Sequence, residues 1–213
     1  MMEKMVVEVH PLTTKAGTGG SEHFLVGFSD GTTLKTTISV MTDHHLQVGR
    51  SLTEAEYAAV QDASALAATK QRALRIIGTR AFSSQELYDR LVEKGESPHN
   101  SAATVAWLCE LHFLDDEQYA GMVARHYAGK GYGIARIKQE LYRRKVPSAF
   151  WEAALEALPA FDDKLDRLLR SKLRSDEPDR KELKRATDAL YRRGFSWEEI
   201  RAALARYQSE RED

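Results

Sequence analysis

A single cysteine, Cys109, stands in 213 residues, which excludes an intramolecular disulfide framework and any cysteine pair for a metal. It lies in the apolar run Val105-Ala106-Trp107-Leu108-Cys109, which predicts a buried, inert thiol. No stretch approaches the roughly 18 apolar residues of a membrane span, and the N-terminus lacks a signal-peptide core, so a cytoplasmic protein without a membrane partner is expected. The seven histidines show neither His-Glu-x-x-His nor any paired ligand spacing, and His44-His45 falls in a predicted loop. Gly17-Thr18-Gly19-Gly20 lacks the Gly-Lys-Ser/Thr ending of a phosphate-binding loop. Asp115 and Asp116 are adjacent on an incipient helix, where their side chains diverge, and no third carboxylate sits at ligand spacing; a helix cap accounts for Asp115. These absences leave no catalytic, metal or cofactor residue to name, and a protein that is not an enzyme is expected.

Net charge is nearly absent too, at −1, but that figure averages unlike parts. Residues 1–69 hold four basic side chains against eight acidic ones, so the remainder is net basic. The sharpest asymmetry lies between Gly121 and Phe150, where Arg125, Lys130, Arg136, Lys138, Arg143, Arg144 and Lys145 face only Glu140.

What the chain does have is a recurrence. Leu141-Tyr142-Arg143-Arg144 returns 49 residues later as Leu190-Tyr191-Arg192-Arg193, and Ala153-Ala154-Leu155 returns as Ala202-Ala203-Leu204 at the same offset. A looser copy begins at Leu87-Tyr88-Asp89-Arg90. Periods of this size mark stacked supersecondary units, each burying its apolar face against the next. The fold class read from this pattern is mainly α: three tandem three-helix modules in an elongated curved array, with a small N-terminal antiparallel β element. The boundaries are 1–52 for the β region, 53–69 for a connecting helix continuing to about 77, then modules at 70–114, 115–160 and 161–213.

Local signals agree with that division. Residues 5–9, 24–28 and 34–40 are short apolar or alternating runs, with Asp30-Gly31 as a hairpin turn between the last two. The glycines between Lys15 and Ser21 predict a flexible loop, and 173–178 is a polar link where flexing is expected. Helix-start signals recur at Thr53 with Glu56, Ser83 with Glu86, Asp115 with Gln118, Asp179 with Glu182, and Ser196 with Glu199. Gly95, Gly131 and Gly194 fall where helices should stop. Helices are expected at 103–111, 117–127, 134–144, 148–158, 163–171, 179–193 and 197–207, with Tyr119, Met122 and Val123, or Ile134, Ile137 and Leu141, or Leu165, Leu168 and Leu169 on buried faces. Trp107, Trp151 and Trp197 each fall near the third helix of a module, where a core or inter-module contact explains them.

Several phrases in this order resemble the bacterial RecX regulatory proteins. They are Arg80-Ala81-Phe82-Ser83-Ser84-Gln85-Glu86-Leu87, then Leu111-His112-Phe113-Leu114-Asp115-Asp116-Glu117-Gln118-Tyr119-Ala120, then Lys130-Gly131-Tyr132-Gly133 with Ile137 and Leu141. The resemblance covers about residues 70–207. Lys145 and Val146 depart from it, standing where relatives usually have glycine and isoleucine, so a differently built helix end is expected there. The resemblance implies a regulator that binds RecA and lies in the groove of its filament on single-stranded DNA. It would restrain filament growth, ATP hydrolysis, strand exchange and the co-protease activity that triggers the SOS response.

The expected partners are therefore the RecA filament and, only weakly, single- or double-stranded DNA, with no cofactor and a monomeric chain. The RecA- or DNA-binding candidates are Arg125, Lys130, Arg136, Lys138, Arg143, Arg144 and Lys145. The second basic cluster, Lys181, Lys184, Arg185, Arg192 and Arg193, is interleaved with Asp179, Glu182 and Asp188 and reads as a solvated helix. A helix-turn-helix DNA-binding protein is the alternative, since three-helix units with basic helices also suit a major groove.

Overall fold

The computed structural model of the chain describes residues 3–12, 23–173 and 178–210. The glycine loop and most of the polar link at 173–178 lie outside the described residues. The chain divides into two compact units, residues 1–80 with 87–110, and residues 81–86 with 111–213.

In the first unit, β1 (Lys4–Leu12), β2 (His23–Phe28), β3 (Thr33–Thr37) and β4 (Ser51–Leu52) form an antiparallel sheet in the order β3-β2-β1-β4. The β2–β3 hairpin turns at Asp30-Gly31 as the sequence predicts. Gly31 takes φ +83°, and the Asp30 carboxylate accepts from the Thr32 backbone N–H at 3.0 Å. The third strand is shorter than its alternation suggests. Thr37 accepts from the Val40 N–H and starts α1 (Ile38–Asp43), so Ser39 and Val40 are helical. A hydroxyl able to cap wins over period-two patterning at this point.

Helix α2 (Glu54–Ile77) opens with the full Thr53/Glu56 capping box and lays Val60 against a core of Val6, Val26, Phe28, Val40, Leu46 and Leu52. The buried hydroxyls of Thr36 and Ser64 pair at 2.8 Å between sheet and helix. Helix α4 (Pro98–Glu110) begins five residues before the sequence-based start. Ser97 accepts from the Asn100 N–H at 3.1 Å and Pro98 occupies the first helical position, a start signal that the alanine-rich stretch after it obscures. Cys109 is half-buried rather than buried.

The second unit holds α5 (Asp116–Gly129), α6 (Ile134–Arg143), a 3-10 turn (Ser148–Phe150), α7 (Trp151–Glu156), α8 (Asp162–Lys172), α9 (Arg180–Arg192) and α10 (Trp197–Ser209). Helix α3 (Ser84–Glu93) begins in this unit and ends in the first. All five sequence-based start signals cap helices: Ser83, Asp115, Asp179 and Ser196 accept from the N–H three residues on, as Thr53 does. One core gathers Tyr119, Ala120, Val123, Ala124, Ile137, Leu141 and Val146, and a second gathers Leu165, Leu169, Ala186, Leu190, Phe195, Ile200 and Ala203. Met122 is exposed, not part of the buried face. At about 100° per residue it lies roughly 130° from the centre of the stripe that Tyr119, Ala120, Val123 and Ala124 define.

Helices α3, α5, α6 and α9 stop in one way. The N–H groups of Glu96, Tyr132, Val146 and Phe195 reach back to the carbonyls of Leu91, Tyr127, Leu141 and Leu190, past a residue of positive φ. Three of those residues are Gly95, Gly131 and Gly194; the fourth is Lys145, at φ +54°. The end of α6 is thus built like the others, contrary to expectation, because an L-residue can enter the left-handed region at a cost of about 1 kcal/mol. Lys145→Gly is accordingly expected to raise stability by about 0.5–1 kcal/mol, read as a small rise in melting temperature.

Candidate functional site

The repeated Leu-Tyr-Arg-Arg segment places its four side chains in three environments. Leu141 and Leu190 are fully buried, each contributing about 1.5–3 kcal/mol. Tyr142 and Tyr191 point outward, at 77% and 52% exposure. Arg143 and Arg192 are exposed, whereas the last arginine of each segment turns back into the protein. Arg144 donates to the Tyr119 hydroxyl at 2.9 Å. Arg193 donates to the Lys130 and Gly131 carbonyls at 3.3 and 3.2 Å and lies over the Tyr132 ring. Arg193 therefore leaves the solvated cluster to which its neighbours suggest it belongs.

The turn after each segment receives the start of an earlier helix. The Ser83 hydroxyl, at the start of α3, donates to the Arg144 and Lys145 carbonyls at 2.7 and 3.1 Å. Helix α6 has no side-chain cap, and instead the Gly133 and Ala135 N–H groups donate to the Arg193 and Gly194 carbonyls at 2.9 and 3.1 Å. The 49-residue recurrence is thus also a recurrence of a docking turn. Two further ties hold the unit. Lys164 of α8 donates to the Ala128 and Gly129 carbonyls at 2.6 and 2.7 Å, where a cation suits a helix C-terminus. Asp116 accepts from the Ser84 N–H and hydroxyl at 2.9 and 2.5 Å, while Asp115 caps α5. The paired aspartates do diverge, and the job of the second is invisible until the fold brings Ser84 to it.

The seven candidate cations do not form one surface. Arg136 and Arg143 both bind Glu140, at 3.2 Å and at 2.7 and 3.0 Å, and the Glu140 side chain is only 5% exposed. Burial pushes the Glu140 carboxyl up, but hydrogen bonds from Arg143 and Tyr127 and the charges of Arg143 and Arg136 outweigh it, leaving it below the usual carboxylate range. Arg144 is committed to Tyr119. Arg125 lies over Gly121 and Lys130 stands 5.8 Å from the Tyr127 ring, both exposed. Lys138 is exposed and makes no ion pair among the described residues, and Lys145 carries the left-handed turn.

Lys138 stands at the edge of a groove of about 540 Å³ between α6 and the α9–α10 turn. Arg136, Tyr191, Arg192, Phe195, Ser196 and Glu199 line the same groove. Trp197, at the first position of α10, stacks on Tyr191 with centroids 5.0 Å apart and is 47% exposed, so it is not the core residue its position suggests. Trp151 does pack in a core, donating to the Val146 carbonyl at 2.9 Å, and Trp107 is half-buried under Lys70. The signal for the groove was the exposed Tyr-Arg that follows each buried leucine.

Fold and site together define a mainly α-helical protein of repeated three-helix units with a small N-terminal antiparallel sheet and a cation-edged groove. Among the described residues no group of three or more His, Cys, Asp or Glu side chains converges to hold a metal, and no helix is long and apolar enough to cross a membrane. Residues 115–155 match the family model described as the second three-helix domain of RecX, and residues 162–204 match the third. The chain is 35% identical over 135 residues to the regulatory protein RecX of Xanthomonas axonopodis pv. citri, covering 62% of this chain and 83% of that one. It is 29% identical to that of Vibrio campbellii over 139 residues, covering 64% and 90%. A crystal structure of a regulatory protein RecX superposes with a TM-score of 0.75 at 17% identity, covering 95% of this chain and 99% of that one. RecX from Lactobacillus salivarius gives 0.62 at 19%, covering 68% and 98%. The chain belongs to the RecX family.

Proposed function

We propose that the chain binds RecA and restrains its filament, slowing growth, ATP hydrolysis, strand exchange and co-protease activity in DNA repair and the SOS response. Membership of a family whose relatives are named regulatory proteins is the observation that carries this reading. In it the chain acts as a monomer through helical modules at 70–114, 115–160 and 161–213. Arg125, Lys130 and Lys138 supply cations to an acidic filament surface or to its DNA phosphates, because Arg136, Arg143 and Arg144 are held by Glu140 and Tyr119. Positive charge so placed speeds encounter and makes binding salt-sensitive.

The test is RecA's DNA-dependent ATP hydrolysis, which the protein is expected to slow at substoichiometric or near-stoichiometric amounts. Replacing Arg125, Lys130 and Lys138 with alanine should weaken binding to RecA filaments and flatten its salt dependence. An unchanged rate of hydrolysis with the wild-type protein, together with tight sequence-selective binding to duplex DNA in the absence of RecA, would favour the helix-turn-helix reading instead.

A further inference from the structure

Tyr191 and Trp197 hold their rings 5.0 Å apart with only 20° between planes, yet each leaves about half of its surface to water. Their positions are fixed from both sides. Tyr191 precedes the Gly194 turn that ends α9, and Trp197 follows Ser196, whose capping box with Glu199 starts α10. A wet aromatic pair next to a groove lined by Lys138 and Arg192 combines the two elements that hold unpaired nucleic acid: ring faces for bases and charges for phosphates. We propose that the groove between α6 and the α9–α10 turn is a binding site for single-stranded nucleic acid, with a base on the Tyr191–Trp197 pair and phosphates on Lys138 and Arg192.

The charges support that occupant. Lys138 and Arg192 are exposed and make no ion pair among the described residues, while Arg136 in the same lining is bound to Glu140. Glu199, the acid of the lining, accepts from the Ser196 N–H at 2.6 Å, which turns its carboxylate to the helix start. Gly194 and Phe195 also line the groove, in the turn that the Gly133 and Ala135 N–H groups hold through the Arg193 and Gly194 carbonyls. An acidic peptide would use the two cations but gains little from a flat ring pair. A duplex keeps its bases stacked inside and offers none to the platform. The platform is also particular to this unit. Tyr142 occupies the position equivalent to Tyr191, but Ser148 stands where the repeat would require the tryptophan.

The site does not depend on RecA, and its test omits RecA. Fluorescence anisotropy of a labelled oligothymidylate of about 15 nucleotides is titrated with the full chain at several salt concentrations. Binding should weaken as salt rises, with Lys138→Ala and Arg192→Ala each lowering the salt slope by about 0.7. Trp197→Ala should weaken binding about fivefold or more, the lower bound for one stacked base, and Trp197→Phe should retain most of it. Lys181→Ala, at the other end of α9, should change nothing. The proposal is overturned if the wild-type chain fails to bind the oligonucleotide at low salt, or if both the stack and the cation variants bind as wild type. It is equally overturned if a blunt duplex of the same length, or a polyglutamate peptide, binds as tightly and loses as much on Trp197→Ala. Should Trp197→Ala unfold, the salt slopes of the two surface cation variants decide the matter.

Discussion

Gly133→Ala lowers the stability of the helical unit by about 3 kcal/mol or more, combining the 1–3 kcal/mol of an overpacked contact with two lost backbone hydrogen bonds of about 1 kcal/mol each. At φ −81° and ψ 172° the backbone of Gly133 is open to any residue, so the change carries no conformational penalty of its own. What demands glycine is the neighbour. A Cβ at position 133 would lie 2.3 Å from the Gly194 carbonyl oxygen and 2.5 Å from the Phe195 nitrogen, both backbone atoms that cannot swing aside. The contact is reciprocal, since a Cβ on Gly194 would meet the Arg136 nitrogen at 2.4 Å, but Gly194 also needs its φ of +90°. Gly133→Ala therefore isolates the steric part. Thermal melting should show the loss, and hydrogen exchange should show the amides of Gly133 and Ala135 losing protection as their bonds to Arg193 and Gly194 break. A melting temperature within a degree or two of wild type would mean that the turn and the start of α6 separate without cost.

That junction marks the boundary of what the sequence made legible. Helix starts were readable because capping is local: a hydroxyl or carboxylate and the N–H three residues on are all that Thr53, Ser83, Asp115, Asp179 and Ser196 require. The stops at Gly95, Gly131 and Gly194 were readable for the same reason, and Lys145 hid a fourth only because its residue type is wrong for the angle it adopts. The roles of Asp116, Arg144 and Arg193 were not readable. Each depends on a partner far along the chain, Ser84, Tyr119 and the Lys130 carbonyl respectively, and no local pattern encodes such a meeting. The candidate cations suffered in the same way. Counting seven bases against one acid treats Glu140 as a minor offset, whereas the fold buries it and gives it two of the seven. The Tyr191–Trp197 stack beside the groove was missed because tryptophan near a third helix usually means core, and the 49-residue recurrence fails at that very position.

Glu140→Gln is expected to cost about 2 kcal/mol at neutral pH, within the range for hydrogen bonds to charged groups and reduced because Arg136 and Arg143 remain partly in water. The side chain keeps its size, so the loss comes from charge rather than from a cavity. Its pH dependence follows from the depressed carboxyl of Glu140. A carboxylate held below its unfolded value contributes stability that is fully present above that unfolded value and is lost as pH falls through the lower folded one. In acid, the wild-type side chain becomes a neutral carboxylic acid and resembles the amide that replaces it. The gap in melting temperature between wild type and Glu140→Gln should therefore be widest near neutrality and close progressively as pH drops below the ordinary carboxylate range. Asp30, depressed first by the hydrogen bond from Lys4, and Glu56, depressed first by the Thr53 N–H, titrate in both proteins and cancel from the difference. A gap that stays constant from neutral to acid pH would show that the ionisation of Glu140 contributes nothing to it. Arg136 and Arg143 would then return to the set of cations available to a partner, and the case for Lys138 and Arg192 as the working charges of the groove would weaken with it.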